Sequence, residues 1–295
     1  MVQVDPGLET LPFATLPQTR QMDFVSRITG RAYRLQVALP LAPPPDAGYR
    51  VLYIIDGDMH FGTYANAMRM RAFTGELEAA IVVGIAYPEA ETDILAWLRR
   101  RNTDLTPTEG GDAMRQNITR QLDGLSIDAF GDAHNFLAAI ETEIAPLIAR
   151  IAPVDTGRNV LFGHSLGGLF TLFAMFTQPT AFETYLALSP SIWWDQNALL
   201  AHESAFVRQL AEQHLAPKLF LGVGEFEQVP DKTPRIPAND VLAAAMVDNM
   251  TALAARLSAI KPRIELTAKI YPGQTHMGVA TTAVSDILEF AFGTS

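Results

Sequence analysis

Eight short runs of apolar and β-branched residues recur along the chain, each closed by turn-forming residues. They are Gln21–Ile28, Tyr33–Leu39, Arg50–Ile55, Ala80–Ala86, Asn159–Phe162, Tyr185–Leu188, Lys218–Val223 and Ile264–Ile270. The middle members are almost wholly apolar (VLYII, AIVVGIA, NVLF, KLFLGV), as strands covered on both faces should be. Helical spacing fills the gaps at His134–Ile151, Gly168–Thr177, Val241–Ile260 and Thr282–Phe292. This alternation predicts an α/β fold with a doubly wound, mostly parallel sheet of about eight strands and helices on both faces. The first two runs meet at the Thr29-Gly30 turn and predict an antiparallel hairpin at one edge.

No composition shift or internal repeat divides the chain, so residues 1–295 read as a single domain. Leu39–Gly48, with its run of prolines, reads as a rigid loop. Pro88–Gln121 and Trp193–Ala216 are insertions expected to wall a site, and Gln228–Ala238 is a third irregular segment.

Composition narrows the function classes. Lys+Arg 22 against Asp+Glu 32 gives a net charge of -10, which argues against nucleic acid and against an anionic membrane surface. With no cysteine, a thiol nucleophile, a disulfide framework and a thiolate zinc site are excluded. No pair of histidines has metal-ligand spacing and no cofactor motif is present, so neither metal nor cofactor is expected. The N-terminus lacks a basic start followed by an apolar run. As written the chain is expected to be cytoplasmic, and periplasmic if a signal peptide has been removed. The oligomeric state is left open.

The strongest chemical signal is Gly163-His164-Ser165-Leu166-Gly167, followed by Gly168. It closes the strand NVLF and opens an apolar helix, the setting of a nucleophile elbow, in which small residues two before and two after relieve a strained turn. Ser165 is therefore the candidate nucleophile, with a serine helix cap as the plain alternative. A hydroxyl needs a base, and His276, just after the last strand, stands where a doubly wound hydrolase delivers one. His60 is a candidate pocket wall, and His164 should point away from its neighbour. After the seventh run, Glu225 and Glu227 both qualify as the acid that orients the imidazole, because residues two apart in an extended tip face one side. Glu227, further beyond the strand end, is the better candidate. The backbone amides of Leu166 and of Asp58, in the turn Asp56-Gly57-Asp58, are expected to form the oxyanion hole.

These segments, with Val51–Gly57, Asp104–Pro107, Ser189-Pro190-Ser191 and Gly224–Glu227, resemble the "Putative esterase" (esterase D-like) family of α/β-hydrolases from about Asp23 to Phe292. The branch most similar is that of the enterobactin-type trilactone siderophore esterases. The resemblance implies an α/β-hydrolase fold, serine esterase chemistry on a small-molecule ester, and Glu227 as the acid. It also implies that Arg99–Pro107 lies over the substrate, making Arg100 and Arg101 candidate substrate-binding residues; Trp193 is a third, as a candidate wall for an aromatic or acyl group. An acyltransferase of the same fold and a hydrolase-fold binding protein without turnover remain the alternatives.

Overall fold

The computed structural model describes residues 15–121, 129–232, 236–260 and 264–294. Most of the N-terminal stretch read for an export signal, and 233–235 within the third irregular segment, lie outside the described residues.

The eight strands are β1 (Thr19–Val25), β2 (Ala32–Ala38), β3 (Arg50–Ile55), β4 (Ala80–Ala86), β5 (Val160–His164), β6 (Thr184–Leu188), β7 (Lys218–Gly224) and β8 (Glu265–Tyr271). They form one sheet in the order β1-β2-β4-β3-β5-β6-β7-β8. β1 pairs antiparallel with β2 and β2 with β4, and the remaining pairs are parallel. Every residue of β3, β4, β5 and β6 is buried, which explains their unbroken apolar sequences. The expected first strand is shortened because the chain turns at Ser26–Gly30, where Gly30 takes φ +70° and its amide bonds the Ser26 carbonyl.

The helices are α1 (Gly57–Phe73), α2 (Ile94–Leu105), α3 (Asp112–Gln121), α4 (Ala133–Ala139), α5 (Ala145–Ala149), α6 (Leu166–Thr177), α7 (Trp194–Asn197), α8 (Glu203–Gln213), α9 (Ala238–Ala244), α10 (Met246–Ser258), α11 (His276–Thr282) and α12 (Val284–Phe292). α4 runs into α5 through one π-helical turn, Ile140–Ile144, within the span expected as a single helix. The expected helix Val241–Ile260 breaks at Ala245, in the left-handed region at φ 41°. α1, on which the hydrophobic pattern was silent, packs through Phe61, Tyr64 and Met68 with α12 on one face of the sheet. α6, α8 and α10 cover the other face. Both insertions prove helical, α2 and α3 in one, α7 and α8 in the other.

The parallel strands thus all end on one side, where Asp56, Ser165, Ser189 and Glu225 follow their last residues. That common edge is where an open α/β sheet presents its chemistry.

Candidate active site

Ser165 follows β5 directly and heads α6 with φ 62° and ψ −119°, a conformation that costs a non-glycine residue of order 1–3 kcal/mol. Main-chain bonds hold it there: its amide donates to the Leu188 carbonyl (3.0 Å), and its carbonyl accepts from Ser191 (3.1 Å) and Leu169 (3.0 Å). The glycines serve unequally. A Cβ on Gly163 would lie 2.0 Å from the Gly167 carbonyl oxygen, and one on Gly168 would lie 2.8 Å from that of Leu188. A Cβ on Gly167 would meet nothing closer than 3.4 Å, so close packing demands Gly163 and Gly168 rather than the symmetric pair expected from the motif.

His276 opens α11 behind Thr275, whose hydroxyl caps the helix by accepting from Gly278 (3.2 Å). Its Nδ1 lies 2.6 Å from Glu227 Oε2. The other carboxylate oxygen, Oε1, accepts from the Ser189 hydroxyl and the Gly224 amide, both at 2.6 Å. Glu227 is buried, whereas the His276 ring is 31% exposed, so the pair runs from the interior to an open face. Glu225 reaches a different place: its carboxylate accepts from the Gly273 amide (2.7 Å), in the loop that leads to His276. The two acids diverge because Glu225–Gln228 form a 3₁₀ turn and not the extended tip expected. At three residues per turn, side chains two apart no longer share a face. Ser189 and the Gly224 amide were not singled out as partners of the acid. Ser189 sits at φ 44°, which turns its hydroxyl in, and no local sequence signal reports that.

The Asp56–Asp58 turn follows β3, the strand beside β5. Asp56 is buried in the left-handed region (φ 52°, ψ 53°) and starts α1, while Gly57 lies so close to β4 that a Cβ would come within 2.7 Å of Gly84. The Asp58 carboxylate accepts from Trp97 Nε1 of α2 at 2.6 Å. Burial, with Asp56 nearby, pushes Asp58 up to about 6.

Arg101 and Arg100 both have partners within the fold. Arg101 makes a two-pronged bond to Asp56 (3.1 and 2.9 Å) and stacks on Trp97 at 5.3 Å. Arg100 bonds Glu89 (3.1 Å) and the Ala32 carbonyl (2.8 Å) and lies over Tyr33 and Tyr87. Both charges are thus paired inside the fold, fastening the insertion to the sheet. Of the adjacent tryptophans, Trp194 is core, donating to the Thr108 hydroxyl (3.0 Å), while Trp193 is only partly buried.

Three imidazoles line up at the strand ends. His164 lies 4.5 Å from His276 and 5.5 Å from His60, centroid to centroid, and its Nε2 is 2.9 Å from the His276 carbonyl oxygen. His60 is buried against Phe162 rather than on a pocket wall. Among the described residues no cluster of metal-ligating side chains occurs, and no helix is long and apolar enough to cross a membrane.

A mostly parallel eight-stranded sheet carrying a serine at its elbow and a histidine–carboxylate pair after its last two strands defines an α/β-hydrolase, and the chain is a serine esterase. It belongs to the family described as "Putative esterase", whose model matches residues 107–258. It is similar to the ferri-bacillibactin esterase BesA of Bacillus subtilis, with 33% identity over 94% of this chain and 90% of the relative. It is also similar to the siderophore triacetylfusarinine C esterase of Aspergillus fumigatus, with 32% identity over 94% of each chain. The solved structure of BES protein from Bacillus cereus superposes with a TM-score of 0.79 at 30% identity, covering 97% of this chain and 99% of that one.

Proposed function

We propose that this esterase hydrolyses the ester bonds of a siderophore, a trilactone or a similar small polyester, through an acyl-enzyme on Ser165. The observation that best supports the catalytic part is the run of contacts from Ser189 and Gly224 through Glu227 to His276. With Nδ1 donating to the carboxylate, the imidazole carries its proton there and leaves Nε2 unprotonated to act as base. Ser165 Oγ attacks the ester carbonyl and its proton passes to His276 Nε2. The amides of Leu166 and Asp58 stabilise the oxyanion, and Glu227 stabilises the imidazolium. Collapse of the tetrahedral adduct expels the alcohol with the proton from His276. Water then attacks the acyl-enzyme by the same route, releasing the carboxylic acid and restoring Ser165.

The substrate part rests on the relatives' names, one of which is a siderophore esterase by name. Trp193, partly buried beyond Ser189-Pro190-Ser191, is the side chain we assign to contact with the acyl or aryl part of the substrate. The test has two stages. Wild type and Ser165→Ala are compared on p-nitrophenyl butyrate, where the variant is expected to lose activity by at least about 10³-fold. Wild type is then given a ferric trilactone siderophore and a simple aryl ester in parallel. A kcat/KM for the siderophore at least a hundredfold above that for the aryl ester is expected, and the reverse order sinks the substrate assignment.

A further inference from the structure

His164 stands at a junction that the reaction above does not use. It is the last residue of β5 and covalently precedes Ser165, and its Nε2 reaches the carbonyl of His276 at 2.9 Å. A carbonyl only accepts, so the ring carries its proton on Nε2. Its face lies on the His276 imidazole, with planes 37° apart, and the His60 ring meets it edge-on at 83°. The side chain is almost completely buried, so this bond is shielded from water.

We propose that His164 is a positioning residue that sets the distance between nucleophile and base, joining Ser165 to His276 through one peptide bond and one hydrogen bond. The proposal rests on Ser165 and His276 being that nucleophile and base. Ser165 directly follows β5 and His276 follows the loop after β8, strands separated by β6 and β7, so pairing within the sheet does not itself join the two residues. Glu227 fixes the imidazole at Nδ1, and Glu225 fixes the approaching loop at Gly273. Neither bonds the His276 main chain directly to the segment that carries Ser165; the His164 bond does. An uncharged ring suits the place, because a second imidazolium against His276 would oppose the charge that forms there in the transition state. Burial holds both His164 and His60 below the usual histidine range, as do the mutual proximity of the three imidazoles at His164 and the Arg101 guanidinium, with Asp56 acting against this at His60.

The experiment compares wild type, His164→Leu, His164→Gln and Ser165→Ala on p-nitrophenyl butyrate, with active sites counted by a fluorophosphonate probe. Leucine fills the space without a donor, whereas the glutamine amide can reach the same carbonyl. The expected result is a kcat per labelled site lowered about 10²-fold in His164→Leu, the effect of a misplacement near 1 Å. KM should stay within about threefold, and His164→Gln should recover at least about tenfold of the loss. A kcat within about threefold of wild type in His164→Leu, or a glutamine variant as impaired as the leucine one, overturns the proposal. Turnover by Ser165→Ala within about tenfold of wild type would instead overturn the underlying assignment of the nucleophile. Should the leucine variant not fold, ¹⁵N NMR of wild type decides. A His164 ring protonated on Nε2 and unchanged from about pH 5 to 8 supports the role. An Nδ1 tautomer, or titration in that range, refutes it.

Discussion

Replacing Glu227 by glutamine changes one oxygen for an NH₂ group, and the surrounding donors decide which one. Oε1 receives both the Ser189 hydroxyl and the Gly224 amide at 2.6 Å. The Gly224 amide can only donate, so the amide oxygen must take that place. The NH₂ group then faces His276 Nδ1, where the carboxylate accepted at 2.6 Å. Nδ1 must give up its proton to accept this bond, and the proton moves to Nε2, the atom that has to be free to take one from Ser165. Restoring the reactive tautomer sets two donors against each other in a buried place, at about 1–3 kcal/mol for each unsatisfied donor. Loss of the carboxylate's charge-assisted bond to the imidazolium adds about 1.5–3 kcal/mol. With one donor left unsatisfied, the total of about 2.5–6 kcal/mol corresponds to a fall in kcat of about 10²–10⁴-fold. Stability should change little, since the bonds from Ser189 and Gly224 survive. Steady-state kinetics on p-nitrophenyl butyrate, with melting followed by circular dichroism, measures both. Glu225→Gln keeps an acceptor for Gly273 and should lose less than about tenfold in kcat. A Glu227→Gln enzyme within about tenfold of wild type, folded and soluble, would refute this account of how the base is oriented.

Three further outcomes are expected. Gly163→Ala, whose Cβ would meet the Gly167 carbonyl oxygen at 2.0 Å, should cost more than about 3 kcal/mol or abolish folding, whereas Gly167→Ala should fold; urea denaturation separates them. Arg101→Leu strands the buried Asp56 carboxylate and should destabilise by about 3–5 kcal/mol, and Arg101→Lys, lacking the fork, should recover only part of it in the same assay. Asp58 ionises near 6 in the fold and near ~3.9 in the unfolded chain, so the folded state binds more protons across that interval. Its contribution to stability is therefore present below about pH 4 and lost as pH rises through about 6. Asp58→Asn should raise stability at pH 8 by up to about 3 kcal/mol and leave it unchanged near pH 4, as read from Tm at the two values.

Much of the architecture was legible because burial on both faces writes itself into unbroken apolar runs. Arg50–Ile55 and Ala80–Ala86 are strands over the limits that their sequences suggest. The elbow was legible because its turn excludes a side chain at Gly163. What the sequence left undecided depends on contacts between distant segments. Glu225 and Glu227 are alike until a 3₁₀ turn separates them, and Ser189 becomes a partner of Glu227 only because its backbone adopts a positive φ. Arg100 and Arg101, in a run of three arginines, suggested a cationic face for a ligand. Asp56, Glu89 and the rings of Tyr33 and Tyr87 neutralise or cover them from elsewhere in the chain, and no local pattern reports such tertiary pairing.

Ser165 is stapled by main-chain groups of Leu188, the last residue of β6, and of Ser191 beyond it, and the approach to His276 is tied to the 3₁₀ turn after β7 by the bond from the Phe226 amide to the Gln274 carbonyl. Backbone wiring of this kind tolerates drift in the side chains around it. The helical insertions after β4 and β6 can therefore be exchanged between relatives, or shortened by a designer, while the serine keeps its pose. The anchor points of the insertion after β4, Trp97 on Asp58 and Arg101 on Asp56, mark the seam along which such a graft should be cut: a transplanted insertion that keeps both side chains brings its docking surface with it.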